Sequence, residues 1–132
     1  MDIKVLLVDN EENIREVIKY GLNVKGIFNI EEASNGMEAW VKAIGLKPDI
    51  ILMDVTMPVM DGIQAYKKLK QAPETKHNPV ILLTARPYKD IVQEVRISAD
   101  EYLEKPCEIG ELYTRIKKVL ELGRGKDYGY TK

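Results

Sequence analysis

The sequence predicts an α/β domain: a parallel sheet with helices on both faces. Three observations carry this. Short apolar runs alternate with helix-period stretches five times along 132 residues. The strongest runs are continuously apolar rather than alternating, as strands buried on both faces are. No linker or internal repeat divides the chain, and five successive β/α units of this kind wind right-handedly into a single sheet. A domain of this length buries roughly two-thirds of the surface its unfolded chain exposes, so one core suffices.

The first strand is Val5-Leu6-Leu7-Val8, followed by a helix whose stripe is Ile14, Val17, Ile18 and Leu22. Glu11 and Glu12 fall in its first turn, where negative charge suits the helix dipole. Ile27 to Ser34 is half polar and suits an edge strand. Met37, Trp40, Val41 and Ile44 mark a second helix, stopped by Gly45 and Pro48. Ile50-Ile51-Leu52-Met53 is a buried strand ending at Asp54, and a helix after Asp61-Gly62 points Ile63, Tyr66 and Leu69 inward. Val80-Ile81-Leu82-Leu83 ends at Thr84. Pro87 can open the fourth helix, with Ile91, Val92 and Val95 as its stripe. Glu101-Tyr102-Leu103-Glu104 is a short strand ending at Lys105-Pro106, and Ile109, Leu112, Ile116, Val119 and Leu120 define the clearest helix. The segment 123–132 reads as a flexible tail or linker stub after a domain spanning 1–122.

Composition excludes several classes. Lys and Arg number 20 and Asp and Glu 21, a net charge of −1, so there is no basic footprint for direct nucleic-acid binding. With 45% hydrophobic and 31% charged residues, the chain is globular rather than disordered. The single cysteine, Cys107, rules out an intramolecular disulfide, and the single histidine, His77, rules out a His-based metal site. The start lacks a secretory layout and no apolar run approaches about 18 residues, which points to a soluble, cytoplasmic protein without a membrane partner.

Ligands of such sheets bind at the carboxyl ends of the strands. There the sequence places Asp9 and Asn10, Asp54, Thr84 and Lys105: two carboxylates, an amide, a hydroxyl and an ammonium. A carboxylate pair attracts a hard cation such as Mg²⁺, and the ammonium and hydroxyl suit phosphoryl oxygens. A carboxylate can itself be the nucleophile, giving an aspartyl phosphate.

These residues resemble the receiver domain of two-component response regulators, of the stand-alone, chemotaxis-regulator-like kind. The likeness covers about residues 3 to 122. It rests on Val8-Asp9-Asn10-Glu11, on Met53-Asp54-Val55-Thr56-Met57-Pro58-Val59-Met60-Asp61-Gly62, on Leu83-Thr84-Ala85 and on Ala99-Asp100-Glu101-Tyr102-Leu103-Glu104-Lys105-Pro106. The resemblance implies a flavodoxin-like (βα)5 three-layer sandwich with strand order 2-1-3-4-5. It implies that Asp54 accepts a phosphoryl group from a phosphohistidine on a sensor histidine kinase or a histidine phosphotransfer protein. Mg²⁺ would be held by Asp9, Asp54 and the backbone carbonyl of Thr56, and Lys105 would pair with the phosphoryl group. Thr84 and Tyr102 would act as the switch, and the Lys105–Pro106 peptide would be cis. The domain would be regulatory rather than an enzyme, assisting its own phosphoryl transfer and autodephosphorylation. A downstream effector would read the face of the fourth helix, fifth strand and fifth helix, with the chain a monomer or a phosphorylation-dependent dimer.

Each residue also has a plainer reading. Asp54 could be a turn residue, Asp9 an N-cap, Thr84 a cap for the Pro87 helix and Tyr102 a core-edge aromatic. Asp61-Gly62 reads as a helix start and Trp40 as packing. Arg86, two past Thr84, either flanks the site or is a solvated charge. Asn10 stands where receivers usually carry an acid that ligates Mg²⁺. An amide carbonyl can still coordinate, so a weakened cation site is expected. Ser98 replaces a typical Gly.

Three functions compete: a phosphorylatable receiver, a receiver-like binding module acting without phosphate because of Asn10, and a phosphatase with an aspartyl nucleophile. The last wants a second carboxylate two residues on, and Asp54-Val55-Thr56 lacks it.

Overall fold

The computed structural model describes residues 2–127. The elements run β1 (Lys4–Val8), α1 (Glu12–Val24), β2 (Asn29–Ala33), α2 (Gly36–Leu46), β3 (Ile50–Asp54), α3 (Gly62–Gln71), β4 (Val80–Thr84), α4 (Tyr88–Ile91), β5 (Tyr102–Glu104) and α5 (Ile109–Asp127). The five strands form one parallel sheet in the order β2-β1-β3-β4-β5. This is the flavodoxin-like arrangement, with helices on both sides.

Because side chains alternate across a strand, each apolar run feeds two cores. Leu6, Val8, Ile51, Met53 and Leu82 face Ala39, Ala43, Ile63, Leu69 and Ile91 of α2, α3 and α4. Val5, Leu7, Ile50, Leu52, Ile81 and Leu83 face Leu22, Leu112, Ile116 and Val119 of α1 and α5. Both faces of the central strands are therefore buried, which is why those runs contain no polar residue.

Helix faces depart from expectation in three places. Val17 is 64% exposed, because the inward line of α1 is Ile14, Ile18 and Leu22 and Val17 sits one helical step to the side. In α2 the buried residues are Gly36, Ala39 and Ala43, while Met37 and Val41 face solvent. The backbone of α2 comes too close for larger side chains: a Cβ on Gly36 would lie 2.5 Å from the Met60 carbonyl oxygen. The fourth helix is a single turn, Tyr88–Ile91, with Pro87 preceding it and turns following. Ile91, Val92 and Val95 are β-branched and propagate helix weakly. The last helix, α5, is described as far as Asp127, past the start of the expected tail at Gly123. Residues 128–132 lie outside the described residues.

Ser98 accounts for itself. Its backbone is extended (φ −86°, ψ 163°), a conformation open to any residue. The Ser98 N–H donates to Glu101 Oε1 at 3.0 Å, which anchors the single 3-10 turn Ala99–Glu101 leading into β5.

Candidate functional site

Sheet register brings the strand ends together. Val8 pairs with Met53, so Asp9 and Asp54 emerge side by side. Asp54 pairs with Leu83 and the Lys105 N–H donates to the Thr84 carbonyl at 2.8 Å, so Thr84 and Lys105 complete the rim. Lys105 Nζ lies 3.3 Å from Asp9 Oδ2 and 3.3 Å from Asp54 Oδ1, one ammonium bridging two carboxylates. The Lys105–Pro106 peptide is cis.

Local structure fixes each group. Asp9 is 2% exposed; its Oδ1 accepts the Glu11 N–H at 2.9 Å, and its carbonyl accepts Arg15 Nη1 at 2.6 Å. Arg15 is held in turn by Glu32 at the end of β2, which also takes Lys19 at 2.7 Å. Hydrogen bonds from Lys19 and then Arg15 keep the Glu32 carboxyl below the usual range. Asp61 caps α3, its Oδ1 accepting the Gln64 N–H at 2.9 Å. Gly62 passes directly over the end of β3, where an added Cβ would fall 2.2 Å from the Asp54 carbonyl oxygen. The loop between them carries Thr56, exposed, and Val59, whose positive φ of 67° is strained for a β-branched residue.

Electrostatics set Asp54 apart. Burial, and then the Asp9 charge, push its carboxyl above the usual range, although Lys105 pulls the other way. Burial by itself would lower the Lys105 ammonium, yet Asp54 and Asp9 together raise it. Both partners of one ion pair therefore move upward. The resolution is simple counting: two carboxylates share one ammonium, which serves the lysine fully and each acid only in part. One negative charge stays uncompensated in a half-buried place.

That residual charge and the all-oxygen donor set fit a hard cation such as Mg²⁺. Asp9 and Asp54 supply carboxylates, and the Thr56 carbonyl and Asn10 amide are the neutral oxygens nearby in sequence. Asn10 is exposed. Among the described residues no three His, Cys, Asp or Glu side chains gather as a metal cluster, so a cation here leans on two acids.

Thr84 is 2% exposed and its Oγ1 accepts the Arg86 N–H at 3.0 Å. Tyr102 is buried; its hydroxyl donates to the Arg86 carbonyl at 2.5 Å, and its ring meets Tyr88 edge-on at 5.3 Å. The Arg86 guanidinium is paired with Glu94. Arg15, Glu32 and Glu94 are not singled out by the sequence, since none lies in a motif and each acts through a tertiary contact, whereas Tyr88 belongs to the face of the fourth helix and fifth strand that the resemblance implies will change. His77 is exposed in the turn that precedes β4, at the amino end of that strand, Cys107 is half-buried with its thiol pushed up by burial, and Trp40 packs against the core under Lys68.

Chemically, the rim offers a carboxylate oxygen and an ammonium in contact, with a buried hydroxyl at the end of the neighbouring strand, a set suited to receiving a phosphoryl group. Comparisons agree. The family model described as "Response regulator receiver domain" matches residues 5–117. The chain is 38% identical over 121 residues to the "Alkaline phosphatase synthesis transcriptional regulatory protein PhoP" of Bacillus subtilis, covering 91% of this chain and 49% of that protein. It is 38% identical over 117 residues to the "Phosphate regulon transcriptional regulatory protein PhoB" of Pseudomonas aeruginosa, covering 88% and 51%. The chain thus spans about half the length of the curated relatives it matches. Among solved structures, the chemotaxis response regulator CheY4 of Vibrio cholerae superposes with a TM-score of 0.80 at 32% identity, over 90% of this chain and 99% of that one. The signal receiver domain of a signal transduction histidine kinase from Syntrophus aciditrophicus gives 0.79 at 35% identity, over 90% of each.

Proposed function

The chain belongs to the response regulator receiver domain family, and from that membership we infer that it is a phosphorylation-dependent switch whose acceptor is Asp54. The observation that carries this is the Lys105 ammonium standing 3.3 Å from both Asp9 and Asp54 at the end of the sheet. The Asp54 carboxylate attacks the phosphorus of a phosphohistidine on a sensor histidine kinase or a phosphotransfer protein. The O–P bond forms as the N–P bond breaks, and the histidine nitrogen leaves. Lys105 follows the developing charge onto the phosphoryl oxygens, and Thr84 donates its hydroxyl to one of them. Asp9, Asp54 and the Thr56 carbonyl would hold Mg²⁺, with Asn10 as a weakened neutral ligand, and the cation would supply further positive charge to the phosphoryl oxygens. Hydrolysis reverses the modification, the domain assisting its own dephosphorylation. The phosphorylated form is read by an effector, or by a second copy of the chain, through the face of α4, β5 and α5.

The supporting test is intact-mass measurement after incubation with a small phosphodonor and Mg²⁺. One phosphoryl adduct, acid-labile and absent from Asp54→Asn, is expected. No adduct, or one that survives the substitution, contradicts the proposal. The exposed, uncharged Asn10 gives some weight to a second reading, a binding module that ignores phosphate. Partner affinity indifferent to Asp54→Asn would favour it.

A further inference from the structure

Arg86 is hydrogen-bonded to both Thr84 and Tyr102. Its N–H donates to the Thr84 hydroxyl oxygen at 3.0 Å, its carbonyl accepts the Tyr102 hydroxyl at 2.5 Å, and its guanidinium pairs with Glu94. We propose that Glu94 is a positioning residue for the phosphoryl site: its carboxylate holds the Arg86 guanidinium over the segment after α4, and a phosphoryl group on Asp54 draws that guanidinium away. The proposal rests on Asp54 being the acceptor and adds the group that competes with it.

The chemistry favours the exchange. Glu94 offers one charge and two oxygens. A phosphoryl group offers nearly two charges and three oxygens, and a guanidinium fork fits it well. The present pair is weak, its side chains being 38% and 46% exposed and so screened by water and salt. Arg86 also stands on the right rim. It lies two residues beyond Thr84, the last residue of the strand that pairs with β3, and Asp61, which caps the helix after Asp54, acts on it along with Glu94 and Asp90.

Release has a defined consequence. Glu94 belongs to the turns that follow the single turn of α4, held by Glu94 N–H to Ile91 O at 2.9 Å and Val95 N–H to Ile91 O at 3.1 Å. The Arg86 pair is the side-chain tie of this stretch back to the β4 end. The other tie, Tyr88 hydroxyl to Ile97 carbonyl at 2.9 Å, stays within the segment. Losing the first frees the exposed residues 92–94 to rearrange while Ile91, Val95 and Ile97 keep their places against the core.

The test is a double-mutant cycle on the lifetime of the aspartyl phosphate. In its hydrolysis, water oxygen bonds to phosphorus, the bond to Asp54 breaks, and carboxylate and inorganic phosphate are released. The full chain is charged with a small phosphodonor and Mg²⁺, the donor is removed, and loss of acid-labile phosphate is followed. With Arg86 free to sit on the phosphoryl group, Glu94→Gln and Glu94→Lys should each lengthen the lifetime at least threefold. Glu94→Asp should stay within twofold of the parent. Arg86→Ala should erase the effect, so that Arg86→Ala/Glu94→Gln matches Arg86→Ala alone. A Glu94→Gln lifetime equal to the parent's, or a Glu94→Gln effect that persists in the double variant, overturns the proposal while leaving Asp54 as acceptor intact. A parent that takes no label on Asp54 removes the acceptor and this proposal with it.

Discussion

One ammonium between two carboxylates is the feature from which the residue-level behaviour follows. Asp54 binds its proton more tightly in the folded chain than in the unfolded one, because burial and Asp9 outweigh Lys105. For a group shifted this way, the stabilising contribution is present below the unfolded pKa and is lost as pH rises through the folded one. At neutral pH the ionised Asp54 therefore costs stability. Asp54→Asn should raise the Tm at neutral pH by roughly 2–5 °C, the size of a change on the order of 1 kcal/mol in a chain this long. The gain should vanish as pH falls below the ordinary carboxylate range. Thermal melts across pH showing no gain at neutrality would remove the electrostatic argument. The same counting bears on Asn10. Restoring an acid there adds the third carboxylate, so Asn10→Asp should tighten Mg²⁺ binding at least tenfold in a calorimetric titration. Unchanged affinity would show that residue 10 does not face the cation.

At the scale of elements, close backbone approach matters as much as apolar stripes. Gly62 and Gly45 make the point in opposite directions. An added methyl at Gly62 would strike the Asp54 carbonyl oxygen, whereas at Gly45, late in α2, it would meet nothing within 4 Å. Gly62→Ala should cost about 1–3 kcal/mol by overpacking, and Gly45→Ala should gain about 0.5–1 kcal/mol from the reduced entropy of the unfolded chain. Urea unfolding of both variants checks the pair of signs. These contacts also explain which elements were legible. The strands read plainly, because Leu52 or Ile81 between two helical layers must be apolar. The inward face of α2 did not, because Ala39 and Ala43 signal burial weakly beside Met37 and Val41, which face solvent. The α4 stripe likewise outruns its helix, since Ile91 ends the single helical turn, Val92 is exposed and Val95 packs on the core from the turns that follow.

For the molecule as a whole, the site is a product of topology. A sheet ordered β2-β1-β3-β4-β5 puts the ends of β1, β3, β4 and β5 on one rim, so Asp9, Asp54, Thr84 and Lys105 converge although up to 96 residues separate them. That convergence was readable from strand ends and motif order. The pairs Arg15–Glu32 and Arg86–Glu94 were not, since a contact between two lone charges leaves no periodic trace. As a switch, the domain must convert one modification into a shift of the whole ensemble, and moving it from 1:99 to 99:1 needs about 5.5 kcal/mol of differential free energy. The most direct measurement is to trap the acyl phosphate with borohydride after phosphodonor treatment in Mg²⁺ and to sequence the peptides by mass spectrometry. Homoserine at position 54 is the predicted result. Homoserine at position 9 or at any other acid, with residue 54 unmodified, would contradict the assignment.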